Sequence, residues 1–311
     1  MENAKISLII PCYNEAENIH AFYNMVKESY KQEIKNIEFV FIDDGSGDST
    51  FCKLQELYNR YEHIKVICFS RNFGKEAAIY AGLSHAGGKY NCIIDADLQQ
   101  SPEVVKEMEE LLDLNDDVDC VAAYQQVRHE GKILSVFKNC FYRMINRMTD
   151  IEFVAGASDF RMFRKNVKDA ILNLQERYRF SKGIFSWIGF ETAYIPYEVQ
   201  ERHSGNSKWP FRKLIKYGIG GIVSFTTTPL KIAMHMGGII SGASFIYLVI
   251  VIAQKLINDI KVPGYPTLVS LILLLGGVQL IMLGIIGEYL GRTYIEGKNR
   301  PIYIAKKILD D

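Results

Sequence analysis

The segment Tyr90-Asn91-Cys92-Ile93-Ile94 is followed directly by Asp95-Ala96-Asp97-Leu98-Gln99, and these ten residues are the most informative in the sequence. The first five residues are mostly apolar and predict a buried strand of a parallel sheet. Side chains two positions apart on a strand point the same way, so Asp95 and Asp97 are expected on one face at its carboxyl end, where open α/β sheets bind ligands. Two carboxylates and the Gln99 amide oxygen suit Mg²⁺ or Mn²⁺. A solvated acidic turn after the strand is the alternative.

Three more apolar runs precede this one, at residues 6–10, 39–42 and 65–69. Each run ends in a polar or glycine-bearing loop, and a helical pattern follows each loop. Alternating strands and helices predict a parallel sheet with helices on both faces. Right-handed crossovers then place all four loops along one rim of the sheet. Acids, amides and a lysine would therefore meet at that rim.

Four loop motifs carry a family resemblance: Pro11-Cys12-Tyr13-Asn14-Glu15, Asp43-Asp44-Gly45-Ser46, Arg71-Asn72-Phe73-Gly74-Lys75 and the Asp95–Gln99 stretch. In order and spacing they resemble the motif series of family 2 glycosyltransferases, and more narrowly the polyprenyl-phosphate glycosyltransferases. The resemblance implies a GT-A fold, which is a Rossmann-like, mostly parallel α/β sheet flanked by helices. An interfacial amphipathic helix and a two-helix transmembrane hairpin are expected to follow it.

The same resemblance implies roles for individual residues. Asp159, in Gly156-Ala157-Ser158-Asp159-Phe160-Arg161, matches the catalytic-base position, and Asp95, Asp97 and Gln99 match the metal site. The expected nucleotide-sugar ligands come from all four motifs and are Pro11, Tyr13, Asn14, Glu15, Asp43, Asp44, Lys75, Asp95, Ala96 and Asp97. The expected ligands of the lipid phosphate are basic or hydroxylic and are Arg128, Arg202, Ser207 and Lys208.

Two long stretches without central charges, at about residues 232–257 and 267–290, are each close to the ~20 residues that span a bilayer. Two buried helices of a large soluble protein are the alternative. The expected organisation is a cytoplasmic catalytic domain over residues 1–208, a juxtamembrane interfacial helix region over 209–230, the membrane hairpin over 231–291 and a cytoplasmic tail over 292–311.

Basic residues flank the hairpin on both outer sides, whereas the connector at residues 258–266 is short and nearly balanced in charge. The positive-inside rule then predicts cytoplasmic termini. The first strand has no separate apolar leader before it and the six cysteines are expected to be reduced thiols, which favours a bacterial inner membrane. An archaeal or endoplasmic-reticulum membrane is the alternative. The chain carries 36 basic and 36 acidic residues, and no nucleic-acid partner is expected. Glycines four apart in both stretches would permit close helix packing, within the hairpin or in a homo-oligomer.

The expected activity is inverting, metal-dependent transfer of a sugar from a nucleotide donor to a membrane polyprenyl phosphate, with UDP-glucose as the first candidate donor. UDP-GlcNAc, UDP-galactose and GDP-mannose remain alternatives, as does an inactive membrane-anchored scaffold. A processive polysaccharide synthase is disfavoured because the chain has no Gln-x-x-Arg-Trp motif. An oxidoreductase is disfavoured because no Gly-x-Gly-x-x-Gly turn follows the first strand.

Overall fold

The structure, a computed structural model, describes residues 4–125, 146, 157–198, 223–258 and 264–310. It divides into two compact units, Met1–Ile215 together with Arg300–Asp311, and Lys216–Asn299. The predicted lipid-phosphate ligands all lie outside the described residues, as does most of the predicted juxtamembrane helix region; these ligands are Arg128, Arg202, Ser207 and Lys208.

The first unit is built on one eight-stranded sheet with the order β7-β5-β6-β4-β1-β2-β3-β8. Strands β1 to β4 pair in parallel, whereas β6 runs antiparallel to both β4 and β5, and β8 runs antiparallel to β3. The strands are β1 (Ile6–Cys12), β2 (Ile37–Asp43), β3 (Ile64–Phe69), β4 (Tyr90–Ile93), β5 (Cys120–Gln125), β6 (Ala157–Arg164), β7 (Thr192–Tyr197) and β8 (Ala305–Leu309).

The helices of this unit lie between consecutive strands, as the alternating pattern predicts. They are α1 (Ile19–Tyr30), α2 (Thr50–Arg60), α3 (Lys75–His85), α4 (Pro102–Leu114), α5 (Lys165–Asn173) and α6 (Ser181–Trp187), with a 3₁₀ turn at Lys31–Asn36. Local sequence explains the start of α4, where the Ser101 side chain accepts a hydrogen bond from the Glu103 amide and Pro102 occupies the first turn.

Burial of the central strands explains why they read as continuous apolar runs. All seven residues of β2 are buried, and six of seven in β1 are. Helix α3 approaches this sheet closely, because a Cβ at Gly82 would come within 2.4 Å of the Ile9 side chain and 2.7 Å of the Ile42 side chain. Glycine therefore sets how near α3, which begins at Lys75, lies to β1 and β2.

The second unit contains two long helices, α7 (Thr228–Asn258) and α8 (Tyr265–Gly297). Both contain stretches long and apolar enough to cross a membrane, Thr228–Ala253 and Ser270–Gly297, with mean hydropathies of 2.2 and 2.3. Their large apolar side chains are exposed, among them Leu273 at 70%. Such exposure disfavours the alternative of two buried helices in a soluble protein.

Strand β8 is an element that the sequence analysis did not anticipate. Residues 300–311 were expected only as part of a tail, but Ala305–Leu309 forms the edge strand beside β3. The backbone amide of Ser70 also donates to the carbonyl oxygen of Ile304, at 2.9 Å. After the two long helices, the chain thus returns to the sheet that its N-terminal strands form.

Candidate active site

A lysine and two carboxylates meet at the carboxyl end of the central strands. The Lys75 ammonium nitrogen lies 2.6 Å from Oδ1 of Asp95 and 3.7 Å from Oδ2 of Asp159. Lys75 opens α3, Asp95 follows β4, and Asp159 lies near the start of β6. Three residues that are far apart in sequence, each a predicted site residue, are therefore neighbours here.

Strand direction explains how Asp159 reaches this position. Strand β6 runs antiparallel to β4, with Ile93 opposite Arg161. Extended two residues beyond the end of β4, the same register points to Asp159, which precedes Arg161 by two residues on β6. The catalytic-base position and the acidic motif are thus brought together by one strand pair. Sequence reasoning predicted both residues but not the antiparallel pairing that unites them.

The acidic motif itself forms a tight turn. The Asp95 amide donates to Oε1 of Gln100 at 2.9 Å, and the Gln99 amide donates to Oδ1 of Asp97 at 3.2 Å. Leu98 adopts a left-handed backbone conformation with φ of 63°, which reverses the chain between the two hydrogen bonds. Ala96 is buried beneath the turn, with 2% exposure. The turn fixes the backbone that carries both acids.

Asp44 binds the neighbouring loop of the protein. Its Oδ1 accepts a hydrogen bond from the Phe73 amide at 2.6 Å, and its Oδ2 accepts one from the Gly74 amide at 2.9 Å. The same two loops touch at Gly45, where φ is 66° and a Cβ would lie 2.4 Å from the carbonyl carbon of Arg71. Burial raises the pKa of Asp44, and the two amides partly offset that effect. Asp44 therefore fixes the loop that leads into Lys75.

Asp43 and the first motif are also tied to their surroundings. Asp43 is buried and accepts from the Ser46 amide at 2.9 Å. The Asn14 side-chain oxygen accepts from the Gly47 amide at 2.9 Å, and the Asn18 side chain donates to Glu15 at 2.6 Å. Tyr13, in contrast, is 44% exposed. The first two motifs thus brace each other and leave an exposed aromatic ring at the rim.

The charges of the central lysine and aspartate stabilise each other. Burial works against the Lys75 cation, yet the carboxylates of Asp95 and Asp159 raise the pKa of Lys75 above its usual range. Burial likewise works against the Asp159 anion, yet Lys75, Lys182 and Arg161 hold the pKa of Asp159 below its usual value. Both groups are therefore charged at neutral pH. Oδ1 of Asp159 is buried and has no hydrogen-bond partner among the described residues.

Glu76 is a neighbour of this site that the sequence analysis missed. Both of its carboxylate oxygens accept from the backbone amide of Ser181, at 3.1 and 3.0 Å, and the Ser181 hydroxyl also donates to it. Burial, and then the negative charge of Asp159, raise the pKa of Glu76. The only signal for Glu76 in the sequence was its position directly after Lys75, the last residue of the third motif. Glu76 joins α3 to α6 next to the site.

Asp95, Asp97 and Gln99 are the candidate ligands of a divalent cation. Within the part of the chain that the structure describes, no three His, Cys, Asp or Glu side chains cluster so as to hold a metal ion by themselves. Asp95 and Asp97 nevertheless present hard carboxylate oxygens from one short turn, with Gln99 adjoining. Mg²⁺ and Mn²⁺ commonly take one or two carboxylates and complete their shell with substrate phosphates and water. The residues fit such a partial shell.

Comparisons with known proteins agree with this geometry. Residues 7–172 match Glycosyl transferase family 2, and residues 228–293 match the GtrB C-terminal hairpin. The bactoprenol glucosyl transferase derived from prophage SfII of Shigella flexneri is 40% identical over 304 residues, covering 97% of this chain and 98% of that protein. CsbB of Bacillus subtilis (strain 168), which is named as a glycosyltransferase, is 42% identical over 311 residues, covering 99% and 93%.

A solved structure shares the fold. Glucosyl-3-phosphoglycerate synthase from Mycobacterium tuberculosis aligns with a TM-score of 0.50 and 14% identity, covering 71% of this chain and 78% of that one. The expected GT-A sheet with a C-terminal helical hairpin is thereby confirmed. Residues 300–310 lie outside both family matches. The chain belongs to glycosyl transferase family 2 and is a glycosyltransferase that carries a hairpin of the GtrB type.

Proposed function

We propose that this glycosyltransferase moves a hexose, with glucose from UDP-glucose as the first candidate, onto the phosphate of a membrane polyprenyl phosphate. The observation that carries the proposal is the bridge of Lys75 between Asp95 and Asp159 at the carboxyl end of the sheet. A pair of acidic residues beside a buried carboxylate base is a suitable arrangement for transfer of a sugar from a nucleoside diphosphate sugar. A relative 40% identical over nearly its whole length is named a bactoprenol glucosyl transferase, which supports a polyprenyl acceptor.

The nucleotide sugar would lie along the rim formed by the first four loops. The exposed ring of Tyr13 offers a surface for the base, with Pro11, Asn14 and Glu15 beside it. The buried carboxylates of Asp43 and Asp44 shape this rim by holding backbone amides of the loops. Lys75 would meet the diphosphate, since its side chain is 41% exposed beside Asp95. Ala96, which is 2% exposed, would lie beneath the floor of this rim.

Asp95, Asp97 and Gln99 would hold a divalent cation, Mg²⁺ or Mn²⁺, together with the donor's diphosphate. When bound, such a cation supplies Lewis-acid stabilisation of the charge that develops on the departing nucleoside diphosphate. The protein's own part is to fix the backbone that carries these acids and to place charge beside them. Lys75 contributes by placing a positive charge 2.6 Å from Asp95.

Asp159 would act on the acceptor side. The polyprenyl phosphate oxygen attacks the anomeric carbon, the bond from that carbon to the nucleoside diphosphate breaks, and the anomeric configuration inverts. The Asp159 carboxylate, whose side chain is 21% exposed, would accept a proton from a monoanionic acceptor phosphate or orient it, and its buried Oδ1 has no hydrogen-bond partner among the described residues. A phosphate monoester has a second pKa near ~6, so this proton is present only in part at neutral pH.

The acceptor would be held at the membrane. Arg128, Arg202, Ser207 and Lys208 are proposed as ligands of the lipid phosphate because guanidinium, hydroxyl and ammonium groups bind phosphate well. The proposed boundaries remain 1–208 for the catalytic domain, 209–230 for an interfacial region and 231–291 for the hairpin. Strand β8 follows the hairpin and pairs with β3, so two crossings would leave both termini on one side. We assign that side to the bacterial cytoplasm.

The deciding experiment supplies membranes containing the full chain with a panel of radiolabelled donors: UDP-glucose, UDP-GlcNAc, UDP-galactose and GDP-mannose. The expected product is a chloroform-extractable, acid-labile labelled lipid that forms best with UDP-glucose. A different preferred donor would correct the sugar and leave the acceptor class intact. Absence of labelled lipid with every donor, from correctly inserted protein, would favour the inactive scaffold. Size analysis of the detergent-extracted chain would test the proposed homo-oligomer.

A further inference from the structure

We propose that the C-terminal segment, residues 301–310, is a working part of the catalytic domain, and that Tyr303 positions the loop that carries Lys75. The segment lies outside both family matches. It begins a few residues after the end of α8 at Gly297 and supplies the edge strand β8. The inference concerns a positioning residue of the transferase, and its activity test rests on the proposed function.

The segment is fastened to β3 at two places. At the carboxyl end of β3, the Ser70 amide donates to the Ile304 carbonyl oxygen at 2.9 Å, and the Tyr303 ring stacks on Phe69 at 4.9 Å between centroids. At the other end, Asp310 lies 2.8 Å from the Lys65 ammonium group. The first contact, the front attachment, precedes the loop that leads to Lys75, whereas the second, the rear attachment, lies at the amino end of β3.

The front attachment continues into the Lys75 loop through aromatic contacts. Phe69 packs edge-to-face on Phe73, with ring centroids 5.7 Å apart. The Phe73 amide is in turn held by Asp44 at 2.6 Å, and the next amide, that of Gly74, is held by Asp44 at 2.9 Å. Lys75 follows directly. A continuous series of contacts thus runs from Tyr303 through Phe69 and Phe73 to the residue before Lys75.

This series has a consequence for catalysis, because Lys75 works by position. It lies 2.6 Å from Asp95 and 3.7 Å from Asp159, and a displacement of about 1 Å at a reacting site can cost a large factor in rate. Tyr303 is partly buried, and burial raises the pKa of its hydroxyl, so the ring is packed rather than loosely exposed. Loss of this ring should loosen the 70–74 loop while β8 stays paired through its other residues.

The test compares three variants of the full chain in detergent: Tyr303→Leu, Tyr303→Phe and Asp310→Asn. Hydrogen exchange at the Phe73 and Gly74 amides is measured without substrates. Tyr303→Leu should speed exchange at these two amides by about ten-fold, because the ring contact of Tyr303 with Phe69, which packs on Phe73, is lost. Tyr303→Phe keeps the ring and should match the wild type. Asp310→Asn removes the rear attachment and should lower the melting temperature without changing exchange at these amides.

Activity supplies the second measurement. Tyr303→Leu should lower kcat by about ten-fold with a smaller change in the acceptor KM, and Asp310→Asn should keep kcat within about two-fold. Equal acceleration of exchange in Tyr303→Leu and Asp310→Asn, or no acceleration in Tyr303→Leu, would overturn the inference. The segment would then only stabilise the fold. If the wild type transferred no sugar, the proposed function would fail, and the exchange measurement would still judge the role of Tyr303.

Discussion

Two lysines at opposite ends of the central strands each lie between two carboxylates, and their surroundings differ. At the carboxyl end, the rim cluster consists of Lys75, Asp95 and Asp159. At the amino end, the base cluster consists of Lys65, Glu38 and Asp310, with Lys65 at 3.1 Å from Glu38 and 2.8 Å from Asp310. The Lys65 side chain is 18% exposed and that of Lys75 is 41% exposed. One lysine and two carboxylates thus occur twice: in the base cluster, which is more buried and is called closed, and in the rim cluster, which is more exposed and is called open.

Hydrogen bonding separates the two clusters further. In the base cluster, Glu38 also accepts from the Gly87 amide at 2.8 Å and from the Ser7 hydroxyl, and Asp310 pairs with His85 at 2.8 Å. In the rim cluster, Oδ1 of Asp159 is buried with no partner among the described residues. Oε1 of Glu38 likewise has no hydrogen-bond partner among the described residues, but it lies 3.1 Å from the Lys65 ammonium group. The clusters therefore differ in their exposure to water and in how many hydrogen bonds fix their carboxylates. Charge content alone does not mark a catalytic site.

The largest effect is expected at the edge of the rim cluster. Asp97→Asn should reduce sugar transfer by about a thousand-fold, because the diphosphate would lose a carboxylate-held counter-charge. The melting temperature should stay close to that of the wild type, since Asp97 is only partly buried and lies outside the base cluster. Initial rates with labelled UDP-glucose and a thermal melt measure the two quantities. A variant that turns over normally would remove Asp97 from the proposed cation site.

A smaller effect, dependent on pH, is expected for Asp159→Asn. At pH 6 the acceptor phosphate is partly monoanionic, and loss of the base should cost about a hundred-fold in kcat or more. At pH 8 the phosphate is almost wholly dianionic, so the deficit should shrink. The ratio of wild-type to variant rates across this range is the measurement. A constant ratio would assign Asp159 to positioning or electrostatics instead of proton removal.

Much of the open cluster could be predicted from sequence, whereas the closed one could not. Asp95 directly follows one apolar strand, and Lys75 ends the loop that follows another. Because the carboxyl ends of parallel strands lie along one rim of a sheet, the sequence alone predicts that the two residues are close. The resemblance of its motif marked Asp159, but its closeness to Asp95 depends on β6 running antiparallel, which no local pattern reveals. Glu38 and Lys65 sit inside strands that read as apolar, and their partner Asp310 is the penultimate residue.

Strand β8 shows why the C-terminal part was missed. Its sequence, Ala305-Lys306-Lys307-Ile308-Leu309, is short and two of its five residues are lysines, which have weak β-propensity. Lysines are typical of edge strands, where they discourage further pairing. The strand forms because β3 offers an unpaired edge, which is tertiary information. Asp44 likewise binds the amides of a loop about 30 residues away, a long-range contact, whereas Asp43 binds the Ser46 amide three residues on. Their predicted contacts with the nucleotide stay a prediction.

The paired substitutions Lys65→Met and Lys75→Met test the comparison directly. Lys65→Met leaves the Glu38 carboxylate, which is 1% exposed, without its counter-ion and should cost about 2 kcal/mol of folding free energy. Its kcat should remain near that of the wild type. Lys75→Met should lower activity more than stability, because its cluster is more open to water. Denaturant unfolding and initial rates are measured for both; identical profiles for the two variants would contradict the division into closed and open clusters.

The smallest effect is expected at Asp113, a carboxylate that contacts Tyr90 at the start of β4 and remains exposed to water. Hydrogen bonds from Lys5 and then Tyr90 lower the pKa of Asp113 to about 2, with burial opposing and Lys89 assisting. Because the folded-state pKa lies below the ordinary value of 3.8, Asp113 stabilises the fold above about pH 4. That contribution is lost as the pH falls towards 2. The side chain is 35% exposed, so water screens these pairs.

Asp113→Asn should therefore cost only about 0.5 kcal/mol at pH 7, well below the loss expected for Lys65→Met. The difference from the wild type should fade between about pH 4 and pH 2, where Asp113 itself becomes neutral. Asp117→Asn changes an exposed carboxylate four residues away and serves as the matched control. A deficit in Asp113→Asn as large as that of Lys65→Met would mean that exposure to water does not decide how strongly a charged cluster stabilises this sheet.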